Sequence, residues 1–164
     1  KENSLGSAQI DYEMTIRKMK ESDIPAVSRI EKLNHIQPWS ENVLADCFHS
    51  DYLCFVAEED GYQKELAGYI ILSQVLEESH LLNLCVSLES QGLGIGRELT
   101  ARGIKEVVKS GARKMFLEVR RSNLKAISLY ESVGFREIGI RTNYYQGSSL
   151  NEDAVVMALV LPGN

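Results

Sequence analysis

The spacing of apolar residues in the first half of the chain predicts a strand, two helices and then a series of strands. Apolar residues recur at helical spacing after Ser22-Asp23-Ile24-Pro25, which has the cap residue and the early proline of a helix start. Pro38-Trp39-Ser40-Glu41 interrupts that helix and begins a shorter one. The predicted elements are a strand over 15–19, helices over 24–34 and 40–49, and strands over 52–58, 66–75 and 80–86.

The second half of the chain alternates helices with strands. Three glycines (Gly92, Gly94 and Gly96) follow the strand over 80–86, and an apolar stripe then predicts a helix. Gly111 and Gly134 are predicted to end helices, because glycine readily adopts the left-handed backbone of a helix C-terminus. The predicted elements are helices over 94–110 and 123–132, strands over 114–119, 137–142 and 154–161, and a polar loop or hairpin connection over 143–153.

This order of elements predicts a single α/β domain over residues 14–162. Consecutive strands in the first half favour antiparallel pairing, whereas a strand–helix–strand crossover in the second half favours a parallel pair. We therefore expect a mixed, mostly antiparallel central sheet of six to seven strands, flanked by about four helices. The polar stretch over 1–13 is expected to be a flexible tail.

Composition and charge reduce the number of possible functions. The chain has 164 residues, of which 44% are apolar, and no apolar run approaches the length of a membrane span. The net charge of −5 argues against a general nucleic-acid binder and is compatible with a basic peptide partner. The three cysteines and three histidines are scattered, so we expect neither a disulfide framework nor a metal site. A cytoplasmic protein without membrane contact is expected.

The segment Gln91-Gly92-Leu93-Gly94-Ile95-Gly96-Arg97 has the composition of an anion site. Glycines allow backbone N–H groups to approach a phosphate, the helix start adds partial positive charge, and Arg97 adds a cation. The dinucleotide fingerprint G-x-G-x-x-G is absent, because Gly94-Ile95-Gly96 is followed by Leu99 where that motif has glycine; the Gly-Lys-Ser/Thr of a P-loop is absent as well. A loop that merely requires left-handed backbone remains an alternative at this point.

Two further residues suggest acid–base chemistry. Glu118 alternates with Leu117 and Val119 in an apolar strand, where a carboxylate is costly unless it is paired or used as a base. Tyr130 follows the cap residue Asn123 by two helical turns on the same face, where its hydroxyl could protonate a leaving group. The alternatives are a salt bridge of Glu118 with Arg120 or Arg121, and a core tyrosine.

Together these residues resemble the GNAT superfamily of N-acetyltransferases. Gln91-Gly92-Leu93-Gly94-Ile95-Gly96 matches its acetyl-CoA signature Q/R-x-x-G-x-G/A, although relatives often have a basic residue in place of Gly92. The RimI-like subfamily, which acetylates the N-terminal alanine of ribosomal proteins, is resembled more specifically. The matching segments are Leu117-Glu118-Val119-Arg120, Ser122-Asn123, Leu129-Tyr130-Glu131, Gly134-Phe135 and Asn143-Tyr144-Tyr145.

The resemblance implies a role for each matching residue. Glu118 would be the base that deprotonates the amine, and Tyr130 the acid that protonates the departing CoA thiolate. Acetyl-CoA would be held by the strand residues Leu84, Cys85 and Val86, by the loop residues Gln91, Gly92, Leu93, Gly94, Ile95, Gly96 and Arg97, and by Asn123. Trp39, Tyr144 and Tyr145 are candidates for the peptide groove, with core or lid packing as the alternative. No metal is implied.

Three functions remain open on the sequence. The first is acetylation of a protein N-terminus, which suits a single carboxylate base because an α-amine has a pKa of about 7.7–8.0. The second is acetylation of a small amine or of a lysine, whose amine is about 400-fold less available as the neutral form. The third is a non-catalytic module that binds acyl-CoA, against which the pairing of Glu118 with Tyr130 argues.

Overall fold

A computed structural model describes residues 13–147 and 149–163. The predicted tail therefore lies, except for Glu13, outside the described residues. The strands are β1 (Met14–Lys18), β2 (Leu53–Glu59), β3 (Leu66–Val75), β4 (Glu78–Val86), β5 (Lys114–Arg120), β6 (Arg136–Tyr145) and β7 (Glu152–Val160). The helices are α1 (Ile24–Asn34), α2 (Glu41–His49), α3 (Ile95–Lys109) and α4 (Leu124–Val133). Short 3₁₀ turns occupy Glu21–Asp23 and Leu88–Ser90.

The seven strands form one mixed sheet in the order β1-β2-β3-β4-β5-β7-β6. Every neighbouring pair is antiparallel except β4 and β5, which are parallel and are joined through α3. The predicted α/β architecture, with its mostly antiparallel sheet and four flanking helices, is confirmed.

An apolar core lies on each face of the sheet. Residues of β3 alternate between them: Ile70 and Leu72 join the core that includes α3 and Tyr130, while Tyr69 and Ile71 join the core under α1 and α2. Since β2 and β3 are covered on both faces, they appear in the sequence as nearly continuous apolar runs. The helices therefore cover both faces of β2 and β3, and β4 pairs with β3 along its edge.

The parallel strands β4 and β5 separate in the middle of the sheet. Their pairing ends at Leu81 and Leu117, after which β4 follows β3 and β5 follows β7. A bulge accompanies the separation, because β3 pairs its successive residues Ile71 and Leu72 with Asn83 and Leu81, leaving Leu82 as the additional residue. The result is an opening within the sheet at the C-terminal ends of two parallel strands.

The polar loop or hairpin connection predicted over 143–153 is a hairpin connection between antiparallel strands, but both of its predicted ends are wrong. β6 continues to Tyr145 and β7 begins at Glu152, so the connection is shorter than expected. β6 lies at the edge of the sheet and is exposed along most of its length, so the apolar pattern that identifies a buried strand is missing there. Asn143 also adopts a left-handed backbone with φ of 53°, beside a shift in register.

Among the described helices, none has the length and apolar character needed to cross a membrane.

Candidate functional site

A cleft of about 380 Å³ lies where β4 and β5 separate. Its walls come from the end of α1 and the segment that follows, from both parting strands, from α4, and from the end of β6. Of the predicted site residues, the structure brings six side chains to this cleft together with Leu84: Trp39, Glu118, Asn123, Tyr130, Tyr144 and Tyr145. A larger cleft of about 480 Å³ between α1 and the β2–β3 turn contains none of the predicted site residues.

Side chains alternate between the two faces of β5, and this alternation directs Glu118 toward the cleft. Met115, Leu117 and Val119 are buried in the core under α3, so Glu118 faces the opposite side and retains 29% side-chain exposure. Tyr144 donates a hydrogen bond to this carboxylate, which raises the pKa of the Tyr144 hydroxyl. The carboxylate is thus held in place while part of it still faces the cleft.

The salt-bridge alternative for Glu118 named the wrong arginines. Its partner is Arg141 of β6, whose Nη2 lies 3.3 Å from Oε1 of Glu118. Arg120 and Arg121 instead pair with the β7 residues Glu152 and Asp153, at 3.3 and 3.6 Å. Sequence proximity suggested a partner at the end of β5, whereas Arg141 reaches Glu118 from β6, which lies beyond β7 in the sheet.

Tyr130 lies deep in the same cleft. Its side chain is 6% exposed and packs edge-on against Phe135, with ring centroids 5.7 Å apart. Burial raises the pKa of its hydroxyl, and the nearby Tyr145 and Cys85 add to the effect. The phenol therefore keeps its proton throughout the neutral range, as a hydrogen-bond donor to a leaving group must.

The glycine-rich loop has the backbone of an anion site. Gly92 and Gly94 have φ of 81° and 84°, in the left-handed region, and a Cβ at either position would meet no atom within 4 Å. Gly94 is the cap residue of α3, and the first helical bond runs from the N–H of Glu98 to its carbonyl at 3.0 Å. The amides before Glu98 have no helical acceptor, so they are available to an anion.

Gly96, the third glycine of the loop, has a packing role. A Cβ there would lie 3.2 Å from Cδ2 of Leu129, so its absence allows α3 to approach α4 closely. Ile95 beside it is 2% exposed. Ile95 therefore anchors the loop in the core, while Gly92, Leu93 and Gly94 are exposed.

Arg97 is directed toward α4. Its Nη1 donates to Oγ of Ser132 at 2.9 Å and its Nη2 to the carbonyl of that residue at 3.4 Å. The extra cation expected at the loop is thus tied to the end of α4, and the loop offers mainly backbone donors. Gln91 has a bridging role, since its Nε2 donates to Oδ1 of Asn34 and to the carbonyl of Val86, both at 3.2 Å.

The strand residues assigned to the acetyl donor lie beyond the last β4–β5 pair. Leu84, Cys85 and Val86 pair with β3 on one edge, and across the described residues β5 offers them no register partner on the other. That edge can accept a ligand in the manner of an added strand. Asn123 caps α4 beside it, with Oδ1 accepting the N–H of Ala126 at 3.2 Å.

The aromatic side chains predicted for a peptide groove form one wall of the cleft. The rings of Tyr144 and Tyr145 are nearly perpendicular with centroids 5.0 Å apart, and Arg120 stacks over Tyr145 at 4.3 Å. Trp39 lies on the opposite side, after α1, and is partly buried. Both sides keep exposed aromatic surface, which disagrees with core packing, whereas lid packing stays an alternative to a peptide groove.

The cleft residues that the sequence interpretation missed include the polar side chains of Glu31, His35, Gln37 and Asn83. The sequence did contain a signal for Glu31, because it is a charged residue in the apolar stripe of α1 that includes Val27 and Ile30. In the structure it is 2% exposed. Asn83 is likewise a polar residue within an apolar strand. Side-chain atoms of Glu31, His35 and Cys85 that could bind a metal ion lie within 4.8 Å of one another. The scattered positions of histidines and cysteines in the sequence did not indicate this.

Comparisons with known proteins identify the family of this chain. Residues 18–135 match the model of the acetyltransferase (GNAT) family. Over 145 residues the chain is 41% identical to the [ribosomal protein bS18]-alanine N-acetyltransferase of Escherichia coli K12, covering 88% of this chain and 96% of that protein. It is 32% identical over 148 residues to the putative enzyme of that name from Bacillus subtilis 168, covering 87% of this chain and 92% of that protein.

A comparison of folds also indicates similarity to an N-acetyltransferase. The crystal structure of the ribosomal-protein-S18-alanine N-acetyltransferase from Escherichia coli superimposes with a TM-score of 0.84 at 39% identity. The match covers 93% of this chain and 96% of that one, so the sheet and all four helices fall within the shared architecture.

Proposed function

This chain belongs to the acetyltransferase (GNAT) family, and we propose that it transfers acetyl from acetyl-CoA to the N-terminal amine of a protein, a ribosomal protein beginning with alanine. The proposed acetyl transfer rests on one observation: Glu118 and Tyr130 face a single cleft at the opening between β4 and β5. The substrate follows from the two similar N-acetyltransferases, whose names specify ribosomal protein bS18 and alanine. With that substrate, the proposed location of the protein is the cytoplasm.

Acetyl-CoA would lie along the open edge of β4 and at the start of α3. The free amides before Glu98 would hold the pyrophosphate, while Leu84, Cys85 and Val86 would pair with the pantetheine arm as an adjoining strand would. The thioester supplies an activated acetyl carbon and a thiolate leaving group. Asn123 lines the cleft between the two regions.

The transfer would proceed through Glu118 and Tyr130. Glu118 accepts a proton from the ammonium group, and the amine lone pair then forms a bond to the acetyl carbon. Once it is bonded to the acetyl carbon, the nitrogen loses its second proton to solvent. When the carbon–sulfur bond breaks, the sulfur takes the electron pair and the proton of Tyr130, whose hydroxyl is then reprotonated from solvent. The products are the N-acetylated peptide and CoA, and positioning of the two substrates contributes much of the rate.

Replacing Gly94 with valine is expected to raise the KM for acetyl-CoA by about 10- to 100-fold, while the KM for peptide changes little. A β-branched residue disfavours the left-handed backbone seen at this position, so the amides of the loop would turn away from the phosphates. Steady-state kinetics with each substrate varied would measure both constants.

The matched control for Gly94→Val is Gly111→Val, at the other end of α3. Gly111 has φ of 93°, and a Cβ there would also meet no atom within 4 Å. This variant has the same kind of backbone strain away from the loop, so it should lose similar stability and keep the KM for acetyl-CoA. An equal rise in KM for both variants would show that strain alone is responsible.

Substrate class is tested by thiol release from acetyl-CoA with a panel of amines. The panel contains hexapeptides beginning with Ala, Ser or Met, N-terminally blocked peptides with an internal lysine, and polyamines. We expect the highest kcat/KM with the alanine peptide, because an α-amine yields the neutral nucleophile more readily than a lysine does. Preference for a polyamine or a lysine would refute the protein N-terminus as substrate, and absence of turnover with every amine would favour a binding module.

A further inference from the structure

A buried carboxylate stands on the α1 side of the cleft. Glu31 is 2% exposed, and Oε2 accepts hydrogen bonds from the Tyr69 hydroxyl and from Nδ2 of Asn83, the latter at 2.9 Å. Its Oε1 accepts the backbone N–H of Trp39 at 3.3 Å. All three partners are donors, so a carboxylate fits this place and an amide would set a donor against a donor.

His35, one helical turn after Glu31, has an unused nitrogen beside this carboxylate. Its Nε2 lies 3.5 Å from Oε2 of Glu31, yet the atom is buried and makes no hydrogen bond to any described residue. Buried polar atoms are nearly always hydrogen-bonded, and exceptions often have a function. Nε2 itself is covered, but the His35 side chain is 36% exposed and lines the same cleft as Glu118 and Tyr130, so a rotation of the ring would present this nitrogen to a substrate.

A metal ion explains this cluster less well than a hydrogen-bond donor does. Cys85 would be the third ligand, but burial raises the pKa of its thiol to about 12, and metals bind the thiolate. Oε2 of Glu31 is already engaged by Tyr69 and Asn83. A ligand rich in N–H groups, by contrast, satisfies His35 without displacing any existing bond.

We infer that Glu31 and His35 form the subsite for the α-amino group of the peptide, an inference that rests on the proposed function. His35 Nε2 accepts one N–H of the ammonium group, whose positive charge is balanced by the adjacent Glu31. An ammonium group has three N–H bonds, so it can donate to His35 and to Glu118 together. After Glu118 removes one proton, the bond to His35 holds the amine while its lone pair attacks the acetyl carbon.

Glu31 also acts as a positioning residue for the peptide wall. Its bond to the Trp39 backbone joins the segment after α1 to β3 and β4, through Tyr69 and Asn83. The same carboxylate thereby holds the backbone at Trp39, the aromatic residue proposed for the groove, and stands next to the imidazole that would receive the amine.

The subsite is tested by binding two peptides to the CoA-loaded protein, in which no acetyl transfer occurs. One is a hexapeptide beginning with alanine, and the other carries a propanoyl group in place of that alanine and so lacks only the amine. Isothermal titration gives the ratio of their dissociation constants. We expect His35→Phe to reduce this preference for the amine about tenfold, and His35→Gln, which retains an acceptor, to restore part of it.

His49→Phe is the matched control. His49 also lies beside a glutamate, with Nε2 3.4 Å from Oε1 of Glu21, but the pair is exposed and does not line the cleft. This variant should keep the full preference for the amine. The inference is overturned if His35→Phe keeps it too, or if that variant weakens both peptides equally, since His35 would then only shape the wall.

Failure of the proposed function would give a different result. If the unaltered protein ignores the alanine peptide and prefers another amine in the thiol-release panel, the same comparison is made with that amine and its analogue lacking the amino group. If Glu31 and His35 form a subsite for amines, the His35→Phe variant should still lose its preference for the ligand with the amino group. An unchanged preference would overturn the subsite. The substrate assignment and the subsite are therefore judged separately.

Discussion

Glu118→Gln is expected to lower kcat about 10²- to 10⁴-fold, the range typical of a general base. Glutamine has nearly the same shape and keeps an oxygen that can accept the Tyr144 hydrogen bond, so the cleft wall should stay in place. It cannot accept a proton from the ammonium group, and only the small neutral fraction of the peptide amine remains reactive. Steady-state kinetics with an alanine hexapeptide would show the loss in kcat, with the KM for acetyl-CoA unchanged.

Glu137→Gln is the control for that substitution. Glu137 lies on β6, is exposed and is not part of the cleft, so kcat should be unaffected. A second check uses pH: raising the pH increases the neutral amine fraction, and the deficit of Glu118→Gln should shrink as it does. A kcat within about threefold of the parent at neutral pH would contradict a role for Glu118 as the base.

Tyr130→Phe is expected to lower kcat about 10²- to 10³-fold, the effect of removing one hydrogen bond to developing charge. A buried phenol is a weak acid, because burial raises its pKa, so its main contribution is a bond to the sulfur as the carbon–sulfur bond breaks. Phenylalanine would keep the edge-on contact with Phe135, so thermal stability should change little. Kinetics and a thermal melt would measure the two effects.

The leaving group provides the critical comparison for Tyr130. An acetyl thioester of a more acidic aryl thiol needs less help on departure, so the deficit of Tyr130→Phe should be much smaller with that donor. Tyr52→Phe, on a partly exposed tyrosine outside the cleft, should be neutral with both donors. An equal deficit with both donors would mean that Tyr130 acts on binding or packing and not on the departing sulfur.

The regular elements were predictable because burial imposes a period on the sequence. The alternation of β5 placed Glu118 on the face opposite Leu117, and the structure has it there. Gly134 was expected to end α4 and does so with φ of 108°. Where burial is absent, as along the exposed edge strand β6, the pattern carried no information and the end of the strand was missed.

The partners of the site residues could not be predicted, because they come from distant parts of the chain. Arg141 reaches Glu118 only because β6 folds back beside β7, and Arg97 meets Ser132 only because Gly96 lets α3 approach α4. The Glu31 cluster likewise joins residues 38 and 52 positions away. Local periodicity shows that Glu31 is out of place in an apolar stripe, but not which donors surround it.

The separation of β4 and β5 has a consequence for how such a protein can diverge. The loop that begins α3 lies on one face of the sheet, whereas Trp39, Glu31 and His35 lie on the face covered by α1 and α2, with the gap after Leu81 and Leu117 between them. Asn34 of α1 does bond to the loop, but at Gln91, which precedes the amides that would hold the acetyl donor. Substitutions on the α1 face can therefore change which amine is accepted without disturbing the amides that would hold the acetyl donor. The division of the sheet lets the two specificities vary independently.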